Sequence, residues 1–249
     1  MSGHSKWATI KHKKGAQDKA RGKLFAKLIR QVEVAAREGG GDINSNATLR
    51  TMFTKAREAS VPLDTIERAI KRGTGELEGV RYEAINYEGY GPGGIAVIVE
   101  CLTDNRNRTG ADVRSVFSKS GGSMAEPGAV SWQFERKGVL AVDRISDEES
   151  LTLEALEAGA EDVQDLSDQW QVVCAPSDLA IVRSRIEEAG FGVSGAELVM
   201  LANSTIEISD EAEARRVLKL MDALEENDDV QNVYSNFDIP DSILEAASV

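Results

Sequence analysis

The architecture of this chain can be read from one stretch, residues 139–202, with the sequence VLAVDRISDEESLTLEALEAGAEDVQDLSDQWQVVCAPSDLAIVRSRIEEAGFGVSGAELVMLA. Apolar residues recur along it with the periods of strands and helices. The predicted elements are a strand at Val139 to Val142, a helix at about 147–158, a short strand near Val163, a strand at Trp170 to Cys174, a helix at Ser177 to Glu188 and a strand at about 194–201. This order is that of a ferredoxin-like unit.

The segments on either side of this stretch predict a second sheet. They comprise strands at 80–88 and at Ile95 to Leu102 around the hairpin connection Gly89 to Gly94, a helix at about 107–119, a strand at Ala129 to Phe134, a helix at about 210–226 and a strand near Val230 to Tyr234. If the ferredoxin-like unit is inserted between them, these elements complete another sandwich of similar type.

Three helices are predicted ahead of the sheets. Leu24, Leu28 and Val32 recur at helical spacing within residues 17–38, and a Gly-rich run ends that helix. Asn44, Ser45 and Asn46 offer N-caps for a second helix. Asp64 and Glu67 form a potential capping box for a third, which leads into the Gly-rich linker 72–79.

These patterns predict an α+β multidomain protein. Its parts are an N-terminal three-helix domain and two α/β-sandwich (ferredoxin-like) domains, one inserted in the other. The predicted boundaries are 1–78 for the helical domain, 79–137 with 203–249 for the discontinuous domain, and 138–202 for the inserted one.

The charge of the chain is strongly segregated. The first 37 residues hold ten Lys and Arg against two acids, whereas the whole chain has a net charge of -13. Residues 79–249 hold 13 basic and 33 acidic side chains, a net charge of -20. A polyanion is attracted to the N-terminal pole and repelled by the rest, so nucleic acid is the first partner to consider.

The first predicted helix carries a basic stripe formed by Lys19, Lys23, Lys27, Arg30 and Arg37, opposite its apolar face. No acid interrupts the stripe, so a phosphate partner would relieve the repulsion along it; the alternative is a solvated surface. The expected nucleic-acid-binding residues are Lys6, Trp7, Lys11, His12, Lys13, Lys14, Lys19, Lys23, Lys27 and Arg30. The alternative for the two histidines, His4 and His12, is a solvated tail.

A secondary anion site is expected at Arg106 and Arg108. Both lie at the start of the helix after Leu102, where the helix dipole disfavours cations. Thr103, Asp104 and Asn105 can provide the cap of this helix. An arginine in that position suits phosphate. Salt bridges to the acidic body are the equally weighted alternative.

The sequence offers little for catalysis. No nucleophile and base pair is recognisable, and the two histidines lack partner ligands for zinc, so we expect neither enzymatic activity nor a cofactor or metal. Cys101 and Cys174 lie in apolar strand-like runs and are expected to be small buried hydrophobes. The apolar stretches are too short to span a membrane and the N-terminus lacks the apolar core of a secretory signal, so a cytoplasmic location is expected. An organellar transit peptide is a weaker alternative. A monomer is also expected.

Several long motifs carry a resemblance to a known family. They are MSGHSKWATIKHKKGAQDKARGKLFAKLIR, IERAIKRGTGELEG, YEGYGPGGIAVIVECLTDNRNRT and GAVSWQFERKG. Together they resemble the YebC family. The resemblance implies a helical domain followed by two α/β domains, the third inserted in the second. It also implies a regulator of gene expression: members are described as DNA-binding transcriptional regulators, as a mitochondrial translational activator, or as ribosome-associated factors for proline-rich stretches.

From residues and resemblance together we expect a non-enzymatic nucleic-acid-binding regulator. Ribosomal RNA is favoured over duplex DNA, because a flexible arm with Trp7 and histidines can stack on unpaired bases, while a body of net charge -20 would lie poorly along a DNA groove. A DNA-binding transcriptional regulator is the alternative. A third hypothesis is an adaptor whose acidic body binds a basic partner such as a ribosomal protein. An enzyme using a groove between the α/β domains ranks last.

Overall fold

The computed structural model describes residues 17–144, 148–166 and 169–247, with only the backbone for Gln17 to Ala20, Asp241 and Glu245. The helices are α1 (Gln17–Gly39), α2 (Ala47–Glu58), α3 (Leu63–Thr74), α4 (Arg106–Lys119), α5 (Glu148–Glu157), α6 (Leu179–Glu188), α7 (Glu211–Glu225) and α8 (Asp241–Ala247). The strands are β1 (Glu83–Tyr90), β2 (Ala96–Thr103), β3 (Ser123–Ala125), β4 (Phe134–Asp143), β5 (Ala160–Asp165), β6 (Gln169–Cys174), β7 (Val193–Ala202), β8 (Ile206–Glu207), β9 (Val230–Ser235) and β10 (Phe237–Asp238).

The described residues divide into two compact units. The first unit contains residues 17–129 and 215–233, and the second contains residues 130–214 and 234–247. The predicted domain boundaries at 78, 137 and 202 stay predictions. None of the helices in the described ranges is both long and apolar enough to span a bilayer.

The three N-terminal helices enclose a core of their own. It contains Leu28, Val32, Leu49 and Ile66, all buried. Asn46 caps α2 as predicted: its side-chain oxygen accepts from the Leu49 amide, and its amide nitrogen donates to two carbonyls before the helix. This cap therefore also holds the end of α1 against the start of α2.

The predicted capping box of α3 is wrong. Pro62 occupies the N-cap position with no side-chain cap, so Asp64 lies inside the first turn and pairs with Arg68 at 3.5 Å. The helix begins at Leu63, two residues earlier than a cap at Asp64 would allow, because the extended conformation of Pro62 (φ -58°, ψ 138°) already provides the N-cap position.

Helices α1 and α3 approach closely at a glycine. A Cβ atom added at Gly73 would lie 2.4 Å from the Glu33 carbonyl oxygen and 2.8 Å from the Ala36 Cβ atom. The backbones can approach to this distance only because Gly73 has no side chain.

The sheet of the first unit has the order β3-β1-β2-β9. β1 and β2 are antiparallel and joined by a 3-10 turn at Pro92–Gly94, which confirms the predicted hairpin. Because β9 follows the ferredoxin-like stretch in sequence, this sheet combines residues from before and after that stretch.

The predicted strand at Ala129 to Phe134 is wrong. Ser131–Gln133 form a 3-10 turn, and the strand that pairs with β1 is the shorter β3. The apolar alternation of Val130, Trp132 and Phe134 suggested a strand, but Trp132 is 72% exposed. Phe134 instead begins β4, which extends the strand predicted at Val139 to Val142 in both directions.

The second unit contains the predicted ferredoxin-like sheet. Its order is β5-β6-β4-β7, and the three neighbouring pairs are antiparallel. Leu140, Leu151, Trp170 and Ile186 from β4, α5, β6 and α6 lie in its core. The α+β fold class is therefore confirmed.

Both cysteines are buried and free, as expected. Burial raises the pKa of Cys101 to about 12 and that of Cys174 to about 11. Each thiol therefore stays protonated at neutral pH and packs as a hydrophobic side chain.

We predict that Gly73→Ala lowers the free energy of unfolding by about 1–3 kcal/mol, because the methyl group forces α1 and α3 apart. Urea unfolding measures the loss. Gly22→Ala on α1 is the matched control: nothing lies within 4 Å of its added Cβ atom, so the change should be neutral or stabilising. Equal effects of the two substitutions would contradict the close approach at Gly73.

Candidate nucleic-acid interface

The lysines of the predicted basic stripe face the end of a distant helix. Lys23 Nζ donates to the Glu226 carbonyl oxygen at 2.8 Å, and Lys27 Nζ donates to the Glu225 carbonyl oxygen at 3.1 Å. These two carbonyls lie at the C-terminal end of α7. The last carbonyls of a helix lack intrahelical partners and carry partial negative charge, so the two lysines cap and stabilise α7.

Arg30 makes the largest set of these contacts. Its guanidinium donates to the Leu102 carbonyl oxygen at 2.9 Å, the Asp228 carbonyl oxygen at 2.8 Å and Asp229 Oδ1 at 3.1 Å. It also lies over the Tyr82 ring, 4.8 Å from its centroid. Arg30 therefore fastens α1 to the end of β2 and to the segment before β9.

Asp229 is the centre of this network. It is buried, and its Oδ2 atom accepts from Arg108 Nη2 and Thr109 Oγ1, each at 2.7 Å, and from Thr103 Oγ1 at 3.3 Å. Its backbone oxygen accepts from the Leu102 amide at 2.9 Å. One carboxylate thus joins α1, the β2–α4 junction and the start of β9.

The protonation state of Asp229 follows from these partners. Burial acts to raise the pKa of the carboxyl group, but the hydrogen bonds from Arg108 and Thr109 and the charges of Arg108 and Arg30 outweigh it and lower the pKa. The group is therefore a carboxylate at neutral pH, paired well enough to be kept in a buried position.

A second buried carboxylate fixes the other end of the stripe. Glu33 accepts from Arg37 Nη2 at 3.3 Å and from Arg72 Nε at 2.9 Å. Arg37 also donates to the Val80 carbonyl oxygen at 2.9 Å. The pair of arginines ties α1 to the end of α3 and to the segment that leads to β1.

The expectation of uncompensated charge along α1 is therefore wrong for Lys23, Lys27, Arg30 and Arg37. Their partners are backbone carbonyls and buried carboxylates of the same chain. Of the other residues predicted to bind nucleic acid, Lys6, Trp7, Lys11, His12, Lys13 and Lys14 lie outside the described residues, as does the side chain of Lys19.

The two arginines of the expected secondary anion site have different surroundings. Of the three predicted caps, Asn105 is the one that caps α4, and its side chain accepts from the Arg108 amide. Arg108 pairs with Asp104 and Asp229, each at 2.7 Å, so the salt-bridge alternative describes it. Arg106 is exposed and makes no ion pair with the described residues.

Arg106 lies instead on a surface groove of about 860 Å³ between α4 and β1. Arg114, two turns further along α4, lines the same groove, as do Ile85 and Tyr87 of β1. The Tyr87 hydroxyl donates to the Arg106 carbonyl oxygen at 3.1 Å. Arg114 was not among the predicted site residues, although its spacing of eight from Arg106 places it on the same side of the helix.

No cluster of His, Cys, Asp and Glu suited to a metal ion occurs within the described ranges. The described residues provide two groups of cations. Lys23 and Lys27 are partly exposed on α1, and Arg106 and Arg114 line the open groove.

Two domain families match the chain. The TACO1/YebC protein N-terminal domain matches residues 5–76, and the TACO1/YebC second and third domain matches residues 82–237. The chain belongs to the TACO1/YebC family. The resemblance recognised in its sequence motifs is thereby confirmed.

Similar proteins cover nearly the whole length of this family member. A probable transcriptional regulatory protein of Halothermothrix orenii is 56% identical over 98% of both chains. Another from Geobacter sulfurreducens is 55% identical over 98% of this chain and 99% of its own. The crystal structure of a conserved hypothetical protein from Aquifex aeolicus has a TM-score of 0.82 at 48% identity, over 91% of this chain and 94% of that one.

We predict that Asp229→Asn lowers the free energy of unfolding by about 3 kcal/mol, because it leaves Arg30 and Arg108 with a neutral partner in a buried position. Thermal and urea unfolding measure the loss. Asp228→Asn is the control: its side chain is exposed, so stability should change by no more than about 0.5 kcal/mol. Equal stabilities of the two variants would show that the network is dispensable.

The contribution of Asp229 to the free energy of unfolding should also depend on pH. Its pKa is lower in the folded state, so its stabilisation is fully present above the pKa of an unfolded aspartate and disappears as pH falls through the folded value. The stability difference between the parent chain and Asp229→Asn should therefore narrow in acid. A difference that stays constant down to the pH of acid unfolding would contradict the lowered pKa.

Proposed function

We propose that this protein is a non-enzymatic regulator of gene expression that binds nucleic acid through its N-terminal segment. The distribution of positive charge carries the proposal. Residues 1–16 hold four lysines and no acid, ahead of a helix whose later cations are bound within the protein. The relatives called probable transcriptional regulatory proteins support a regulatory role.

The proposed contacts divide the predicted residues into two groups. The first, assigned to nucleic acid, consists of Lys6, Trp7, Lys11, His12, Lys13, Lys14 and Lys19. The second, Lys23, Lys27 and Arg30, is assigned first to holding α1 in place, with at most a supporting role toward phosphates. In the first group lysines neutralise phosphates, while Trp7 and the histidine provide surfaces on which unpaired bases stack.

RNA on the ribosome is the favoured target, in a cytoplasmic monomer that eases synthesis of proline-rich sequences. Two features support RNA: the aromatic and histidine residues among the lysines, and the net charge of -20 over residues 79–249, which opposes close wrapping along duplex DNA. The acidic body leaves room for contact with basic ribosomal proteins.

A DNA-binding transcriptional regulator is the second candidate. The names of the relatives favour it. This candidate predicts that the affinity for a specific DNA site greatly exceeds the affinity for random DNA, and that the ratio stays large at moderate salt.

We predict that replacing Lys6, Lys11, Lys13 and Lys14 by Gln weakens binding to ribosomes and to a ribosomal RNA fragment. The slope of log affinity against log salt should fall by about 3, because four phosphate contacts are lost. Co-sedimentation and fluorescence anisotropy across a salt series measure both effects.

The matched control replaces Lys55, Lys71, Lys119 and Lys219 by Gln, which changes the net charge equally without touching the N-terminal segment. If both quadruple variants lose affinity to the same extent, the N-terminal segment is not the anchor. Ribosome profiling of a deletion strain then separates the two candidates: pauses at proline-rich codons support translation, and altered messenger levels without pauses support transcription.

A further inference from the structure

The groove between α4 and β1 is open along the sheet edge. β3 pairs with β1 only over Glu88 to Tyr90, so residues 83–87 of β1 have no strand on that side within the described chain. Ile85 and Tyr87 of this uncovered part line the groove, as does Met124 of β3. The groove can therefore accept an extended chain from the side.

One row of α4 residues forms the opposite wall. Arg106, Gly110, Arg114 and Ser118 follow one another at intervals of four and all line the groove. Gly110 lies against the Tyr87 ring, since a Cβ atom added there would be 3.3 Å from the hydroxyl oxygen. Small residues between the two arginines leave the space open, with the Cα atoms of Arg106 and Arg114 about 12 Å apart along the helix.

The two arginines are exposed, and neither forms a salt bridge or side-chain hydrogen bond with the described residues. Arg108, between them in sequence, is bound by Asp104 and Asp229 instead. Residues 79–249 contain 33 acids, yet no acid among the described residues forms an ion pair with either arginine of this groove. Arg106 also carries its charge at the first residue of α4, where the helix dipole opposes it.

We propose that this groove binds a short segment of single-stranded nucleic acid, with Arg106 and Arg114 on phosphates of the same strand. The Ser115 and Ser118 hydroxyls lie on the same wall as further donors, and Ile85, Tyr87 and Met124 form the apolar surface for sugars and bases. The proposal rests on the proposed function and adds to it a second contact, remote in sequence from the N-terminal lysines.

Single-stranded nucleic acid fits the groove better than the other polyanions. A groove of about 860 Å³ has the volume of a small-ligand site, which suits a few nucleotides of one strand. Arginine matches phosphate geometry through two parallel hydrogen bonds, and the apolar opposite wall suits bases more than the charged side chains of an acidic peptide.

The test uses the full chain carrying Arg106→Gln and Arg114→Gln. Fluorescence anisotropy measures affinity over a salt series. The ligands are labelled oligouridylate and oligothymidylate, and a hairpin duplex and polyglutamate serve as comparison ligands. We expect roughly tenfold weaker binding of the single strands and a salt slope lower by about 1.4. The control, Arg136→Gln with Arg216→Gln, removes two exposed arginines elsewhere and should stay within about twofold of the parent. The comparison of the two oligonucleotides distinguishes RNA from DNA.

A second variant, Arg106→Lys with Arg114→Lys, retains the charge and should restore most of the salt slope. If the glutamine and control variants lose affinity equally while the N-terminal lysines are still required, the groove is not a binding site for nucleic acid. The proposed function would then still stand. A parent chain that binds neither oligonucleotide nor the ribosomal RNA fragment at low salt would overturn both. Polyglutamate binding that the arginine substitutions abolish, without an effect on the oligonucleotides, would overturn the assignment to nucleic acid.

Discussion

The first unit depends on a buried carboxylate that is placed between two arginines. Asp229 accepts hydrogen bonds from Arg30, Arg108 and Thr109, and these come from α1 and α4. A carboxylate in this position is tolerated only when its charge is balanced and its oxygens are bonded. Burial of the Asp229 carboxylate therefore requires both arginines. Because they come from different helices, the network joins the helical part of this unit to its sheet.

Helix α1 has two roles: it holds the first unit together, and it contributes positive charge. Its apolar face packs on α2 and α3, and its basic face donates to the end of α7 and to Asp229. The cations are therefore structural ligands of backbone carbonyls, as well as a source of positive potential. A charge count over the sequence overstates how much of that potential is free for a partner.

Local patterns in the sequence predicted the elements well. The order of the ferredoxin-like strands, the hairpin at Pro92 and the caps at Asn46 and Asn105 all follow from periodicity and from residues that act within a few positions. The errors about the charged residues arose where the deciding contact lies far away in sequence. Nothing near Lys23 in sequence indicates that its partner is the Glu226 carbonyl, 203 residues away. Arg106 and Arg108 likewise look alike in sequence, and only the position of Asp229 separates a paired arginine from an exposed one.

The separation in sequence between Arg30 and its acceptors has a consequence for synthesis of the protein. The Asp228 carbonyl that Arg30 binds lies 198 residues later in the chain. At ordinary elongation rates of about 5–20 residues per second, roughly 10–40 s pass between the synthesis of these two sites. During that interval the basic face of α1 has no internal acceptors from the α7 end, so the nascent chain exposes more free cation than the finished protein. The last contacts of this face therefore form only after residues 225–229 have been synthesised.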